Sequence, residues 1–232
     1  MELPKDKLMD LVKEGPVSDI FRAEQALSLF NTIGDVSKEV NDSTYGEVFA
    51  TFQSLCIDRF VLSISKLYEK PKDFPLRSVP GVLNFLKENA EQLEIIDSYR
   101  LDNQMTRLGT DISKLIKLDA KEKTIYVADR LLSKKPKGMK KTLDPLVKLR
   151  NKHIAHPEVI DVESLLRTTW DAAETLLQYP KDVVGAISDG YLNISYVVDS
   201  GEYVLSSDAS RVGRGVKRML AELGISTSND KI

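Results

Sequence analysis

Residues 41–71 read NDSTYGEVFATFQSLCIDRFVLSISKLYEKP, and the reading of this stretch decides the fold. Val48, Phe49, Phe52, Leu55, Cys56, Phe60, Ile64 and Leu67 recur at three- and four-residue spacing. That is the period of a helix, not the alternation of a strand. Thr44, with Glu47 three residues on, has the form of a capping box, and Pro71 and Pro75 close the element. A helix apolar over most of its circumference needs neighbours on several sides. It is therefore expected at the centre of a helical bundle.

The same rhythm extends outward in both directions. In residues 17–33, Ile20, Ala23, Leu27, Phe30 and Ile33 share one helical face. Residues 78–96 open a helix near Pro80, and 97–132 hold one or two charged helices with a break at Gly109 or Asp119. Residues 133–141, SKKPKGMKK, are expected as a loop because Pro136 and Gly138 interrupt regular structure. Asp144 and Pro145 then look like an N-cap followed by proline at the first helical position. That helix stops at Pro157, and the next runs from Asp161 to near Pro180 with Trp170 inward. Residues 193–207, NISYVVDSGEYVLSS, carry β-branched and aromatic residues around Asp199, Ser200 and Gly201, which predicts a hairpin. A last helix is expected from about Ser210 to Leu223. The predicted fold is all-α: a helical bundle over residues 1–182, with a β-hairpin and helix appendage over 183–232 packed on it.

Bulk composition excludes several classes. With 33 basic and 35 acidic side chains the net charge is -2, so no global positive field attracts nucleic acid and any such binding must be local. The single cysteine, Cys56, rules out an internal disulfide framework. The first fifteen residues, MELPKDKLMDLVKEG, lack the apolar centre of a signal peptide, and no uninterrupted apolar run reaches the ~18 residues of a membrane span. The expectation is a cytoplasmic protein without a membrane partner.

Against this background residues 149–158, LRNKHIAHPE, stand out, because both histidines of the chain lie there. Arg150 falls on the same helical face as Leu143, Leu146, Val147 and Ile154, where an aliphatic residue is expected. A guanidinium on an apolar face is costly unless it is paired, snorkelling or used. Arg150, His153 and His156 climb one ridge at three-residue intervals, and Asn151 adds an amide that can donate and accept. Residues 133–153 also hold eight cations, Lys134, Lys135, Lys137, Lys140, Lys141, Lys148, Arg150 and Lys152, against Asp144 alone, a local net charge of +7. A phosphate backbone would be attracted there.

These residue types suit RNA cleavage without a metal or other cofactor. The reaction needs a base for the 2′-hydroxyl proton, an acid for the 5′-oxygen and a cation for the phosphoryl oxygens. Imidazole, with an unperturbed pKa of ~6.5, serves as either acid or base near neutrality. Arginine presents a planar, permanently charged fork to phosphate. Two bland readings stand beside this one. Arg150 and His156 could form a structural pair at a helix end, and the lysines could be a solvated connector.

The residues RNKHIAH, 150–156, resemble the signature of the HEPN superfamily: an arginine, a polar residue, and a histidine after four to six intervening positions. Following a long helix that ends FVLSISKLYEKP, residues 60–71, they most resemble its abortive-infection branch over about residues 17–178. The resemblance implies an all-helical bundle that dimerises and unites two Arg/His motifs in a metal-independent ribonuclease acting in phage defence or as a toxin. Carried over by residue, Arg150, Asn151 and His156 are the catalytic candidates, with His153 a candidate auxiliary outside the signature. Lys134, Lys135, Lys137, Lys140, Lys141 and Lys152 are the candidate RNA-binding residues. One motif histidine per chain for the two jobs of acid and base also argues for a homodimer. Expected partners are RNA, a second copy, and an antitoxin or phage-derived trigger. The rival expectation is a non-catalytic dimerisation or interaction module, or an RNA binder, of the same fold.

Overall fold

The computed structural model describes residues 3–72, 75–135, 139–151, 172–198 and 200–225. They fall into two compact units. One comprises Met1–Ile20 and Ile64–Val204, the other Phe21–Ser63 and Leu205–Ile232. Among the described residues the elements are helical and no strand forms.

The first unit begins with α1 (Pro4–Val12), which runs through a kink at Gly15–Pro16 into α2 (Ser18–Gly34). The kink has a packing reason, since a Cβ at Gly15 would stand 2.5 Å from the Arg77 carbonyl oxygen. Most of α2, α3 (Ser37–Asn41) and α4 (Gly46–Tyr68) up to Ser63 belong to the second unit, and the chain returns to the first at Ile64. Four helices follow: α5 (Val79–Glu88), α6 (Ser98–Arg107), α7 (Ile112–Leu115) and α8 (Ala120–Ser133). Their starts are written in the sequence. The Ser78 side chain accepts from Gly81 N–H, Asp97 from Arg100 N–H and Asp111 from Ser113 N–H, while Asp119 and Glu122 form a reciprocal capping box. Both expected breaks occur: Gly109 turns the chain at φ +74°, and Asp119 starts α8. Leu83, Leu86, Leu101, Met105, Leu115, Val127 and Leu131 are buried where these helices meet.

Two more described helices belong to this unit, α9 (Met139–Leu149) and α10 (Ala173–Ile187). Both correct the sequence reading, because each carries proline in its interior. Helix α9 opens at Met139, so Lys140 and Lys141 are helical and not part of a loop, and Pro145 lies well inside and not at the first position. Pro180 is likewise interior, and α10 continues past it to Ile187. An interior proline withholds an N–H from the carbonyl four residues back. For Pro180 that carbonyl is Leu176, and the buried Tyr68 hydroxyl donates to it at 2.6 Å, replacing the missing donor. The expected placements of Asp161 and Trp170 lie outside the described residues.

Past α10 a π-helical turn, Ser188–Leu192, packs against α6, where a Cβ at Gly190 would meet Leu101 at 3.0 Å. The hairpin expected over 193–207 does not form. Val197 and Tyr203 make a single antiparallel bridge across a turn at Gly201 (φ +85°), with the two tyrosines Tyr196 and Tyr203 stacked. Only twelve residues separate Leu192 from the helix that opens at Leu205, and among the described ones a single bridge forms.

The second unit has its own core. Ile33, Val36, Val40 and Phe49 pack with Leu220 and Ile225, joined by Leu29 and Val216. Leu220 belongs to α12 (Arg211–Glu222), the expected last helix, preceded by α11 (Leu205–Ala209). Helix α12 approaches α2 closely at Gly213, where a Cβ would lie 2.3 Å from Ser28 Oγ. The Ser206 hydroxyl donates to Glu24 at 2.7 Å across the same contact.

Helix α4 departs from expectation along its length. Phe60, Val61, Ile64 and Leu67 are fully buried, as a central helix requires. Its first part is different: Val48 is 49% exposed, Phe52 37% and Leu55 59%. The helix starts at Gly46, so Thr44 is not the residue that caps it. By length and composition α4 is the one described helix long and apolar enough to cross a membrane, although its later residues are packed inside the protein.

Candidate functional site

Arg150 emerges from the last turn of α9, whose Leu143, Leu146 and Leu149 are buried. The sequence placed Arg150 among Leu143, Leu146 and Val147; the actual apolar line runs through Leu149, and Val147 is exposed. This shift of the buried line leaves the guanidinium at the border of the core, half-buried, where it can be both paired and reached. Its Nη1 lies 3.5 Å from Glu69 Oε2, and its Nε donates to Asn151 Oδ1 at 3.0 Å. Arg150 is thus a restrained cation, as the cost of a guanidinium beside apolar residues demands.

Beside it opens a cavity of about 400 Å³. Arg150 lines it together with Lys70, Lys135 and Lys140, against the carboxylates Glu69 and Asp144. The floor is Tyr68, whose hydroxyl is committed to the Leu176 carbonyl and whose ring stacks with Tyr179 at 6.1 Å between centroids. Burial pushes the Tyr68 phenol far above its ordinary range, so it remains a donor. Lys135 Nζ stands 5.3 Å from the centre of the Tyr68 ring, a cation–π contact. Burial first, and then the nearby charge of Lys70, hold the Lys135 ammonium below the usual lysine range. A cation that is partly desolvated and faced by another cation gains from an incoming anion, because the anion offsets both costs. An anionic group of phosphate size fits this volume and this charge.

The structure distributes the expected residues unevenly. Arg150, Lys135 and Lys140 meet at the cavity, and Asn151 holds the arginine from the side, itself exposed. Lys134 lines a different cavity of about 280 Å³ with Tyr179, Gln178 and Asp182. Lys141 is an exposed residue of α9. Lys137, Lys152, His153 and His156 lie outside the described residues. Two charged lining residues were missed in the sequence, Glu69 and Lys70. They sit directly after the end of α4 and about eighty positions before Arg150, so no local spacing joins them to the motif. The available signal was a charged pair placed between a helix end and Pro71.

Among the described residues no group of three or more His, Cys, Asp or Glu side chains could hold a metal ion. Cys56 is free and buried, and burial raises its thiol pKa, which disfavours the thiolate that would ligate or react.

No curated protein and no solved structure matches the chain. The AbiU2 family model of the HEPN superfamily matches residues 7–212, which takes in α1 to the start of α12, the cation-lined cavity and the whole RNKHIAH stretch. The chain belongs to the AbiU2 family of HEPN proteins.

Proposed function

We propose that this protein is a metal-independent endoribonuclease that works as a homodimer, with a composite site of two Arg150–His156 motifs. The observation that carries the reading is the placement of Arg150. Its guanidinium lines a cavity shared with Lys70, Lys135 and Lys140, a concentration of positive charge in a chain whose net charge is -2. Membership of the HEPN superfamily supports reading His156 as the partner of Arg150 and RNA cleavage as the chemistry.

In the proposed reaction the RNA phosphate occupies the cavity, with its non-bridging oxygens on Arg150 and the lysines. Arg150 exchanges Glu69 for the phosphate; an exposed ion pair of this kind is worth about 0–1 kcal/mol, so the exchange is cheap. His156 of one subunit removes the 2′-hydroxyl proton, and the 2′-oxygen attacks phosphorus. The bond from phosphorus to the 5′-oxygen breaks, and His156 of the partner subunit protonates the leaving oxygen. The products are a 2′,3′-cyclic phosphate and a 5′-hydroxyl. Asn151 acts as a positioning residue, through its hydrogen bond to Arg150 Nε.

Two subunits are needed because one motif histidine cannot serve as acid and base in the same turnover. Support for a second copy comes from α4. Val48, Phe52, Leu55 and Leu62 are all exposed and follow one another at intervals of four, three and seven, the spacing of a helix–helix seam. Exposed apolar residues in such a line mark an association surface.

The proposed biological setting is abortive infection, as in the family's name, with an antitoxin or phage-derived trigger as regulator. The test offers single-stranded and structured RNA with EDTA present and compares wild type with Arg150→Ala and His156→Ala. Wild-type cleavage is expected, with each variant reduced about 10²–10⁴-fold. Equal cleavage by all three, or none by wild type, removes the proposal. Absence of wild-type cleavage together with an Arg150→Ala change in oligomeric state would favour the non-catalytic interaction module.

A further inference from the structure

Helix α12 is the most strongly two-faced of the described helices. At about 100° per residue, Arg211, Arg214, Lys217 and Arg218 fall within one sector and Val212, Val216 and Leu220 within the opposite one. Each of the four cations is exposed. Glu222 is the only acidic residue in the helix. The apolar face is already occupied. Leu220 is buried in the core of the second unit with Val216 packed against it, and Gly213 brings the helix backbone onto Ser28 and Thr32.

Basic amphipathic helices usually lay their apolar face on an anionic membrane or in the groove of an acidic protein, and clustered exposed cations also attract nucleic-acid backbones. Membrane binding of such a helix requires its apolar face to enter the lipid. Here that face is spent on the protein's own core, which leaves charge as the means of contact. The cations are also partly held in place. Arg211 pairs with Asp208 at 2.9 Å, and Arg214 Nη2 donates to the Ser207 carbonyl at 3.1 Å. A row of arginines fixed on a rigid helix suits the repeating phosphates of a strand, to which guanidinium groups donate in pairs.

We propose that the exposed face of α12 is a second RNA-contacting surface, which grips the phosphodiester backbone without reading sequence. The attraction to a polyanion rests on α12 alone. Its identification as RNA rests on the ribonuclease reading above. This surface is separate in residues from the Arg150 cavity and performs no chemistry. It raises affinity and makes it steeply dependent on salt.

The experiment measures binding of wild type to a fluorescent single-stranded 2′-O-methyl RNA, which lacks the attacking hydroxyl and is not cut. Salt is varied, and the double variant Arg214→Gln/Arg218→Gln is compared. Each lost backbone contact on a single strand lowers the slope of log affinity against log salt by about 0.7, so the double variant is expected to lose about 1.4. Both side chains are exposed, and circular dichroism is expected to match wild type. An unchanged slope overturns the proposal. So does a variant that keeps RNA binding and loses binding to phosphatidylglycerol vesicles, since that outcome assigns the face to a membrane. Failure of the nuclease reading looks different: the slope falls as expected while wild type leaves natural RNA intact.

Discussion

The two basic regions of this protein hold their cations in opposite ways. Around Arg150 two of the four cations are half-buried and engaged, Lys135 against the Tyr68 ring and Arg150 tied to Glu69 and Asn151, while Lys70 and Lys140 are exposed. On α12 the four cations are all exposed, with Arg211 and Arg214 steadied by Asp208 and the Ser207 carbonyl, over an apolar face that is sealed into its own core. The first arrangement pays desolvation for geometry, and in the proposed reaction it places one phosphate. The second costs little, selects only by sign, and is screened within about 10 Å at ordinary salt. A nuclease needs both properties, and they need not come from the same side chains.

This contrast can be broken or sharpened by experiment. The largest expected effect concerns assembly. Leu55 is 59% exposed, so Leu55→Asp leaves the core intact while placing a charge in the proposed seam. The variant is expected to run as a monomer by light scattering and to lose at least ten-fold in RNA cleavage. A Leu55→Asp dimer with wild-type activity would show that α4 is not the seam.

The next effect is structural. Tyr68→Phe removes the donor that satisfies the Leu176 carbonyl opposite Pro180. A buried carbonyl left without a partner costs about 1–3 kcal/mol. Chemical denaturation is expected to show a loss of that size, and Pro180→Ala in the Tyr68→Phe background is expected to restore most of it by returning the helical N–H. A Tyr68→Phe protein as stable as wild type would refute this account of how α10 tolerates its proline.

The smallest effect is a pH dependence. Asp189 is buried, and burial raises its carboxyl above the ordinary carboxylate range, offset in part by the hydrogen bond from Gln104. A carboxyl with a raised folded pKa stabilises the fold fully below its unfolded pKa and loses that contribution as pH rises through the folded value. Asp189→Asn cannot ionise. Its stability relative to wild type is therefore expected to increase as pH rises from about 4 toward neutrality, measured as the difference in denaturation midpoint. A difference that stays flat with pH would mean that Asp189 is ionised in the fold at no cost.

The parts of the fold that could be read from the sequence were those governed by local rules. Ser78 before Pro80, the Asp119–Glu122 box, the break at Gly109 and the last helix all announce themselves within a few residues. The errors came where distant residues override a local rule. Pro145 and Pro180 read as boundaries because interior proline costs about 3 kcal/mol in an isolated helix. At Pro180 a tyrosine more than a hundred positions away supplies the missing donor, and at Pro145 the buried Leu143, Leu146 and Leu149 hold the helix together. The β-branched run near Val197 reads as strand, yet only Tyr203 pairs with it. At the candidate site the same division holds. Charge counting found Lys135, Lys140 and Arg150, while Glu69 and Lys70 were out of reach because tertiary packing alone brings them there. The exposed line on α4 was visible as an apolar face but was assigned to the core, since sequence shows that a face is apolar and not what covers it.

In the proposed reaction Arg150 and His156 cut RNA by internal transfer to the 2′-oxygen. Mass spectrometry of the ends left on a defined RNA after incubation in EDTA tests it most directly. The account predicts 2′,3′-cyclic phosphate and 5′-hydroxyl ends from wild type and an intact RNA from Arg150→Ala. Ends bearing 3′-hydroxyl and 5′-phosphate, or the same cyclic ends from wild type and Arg150→Ala alike, would contradict it.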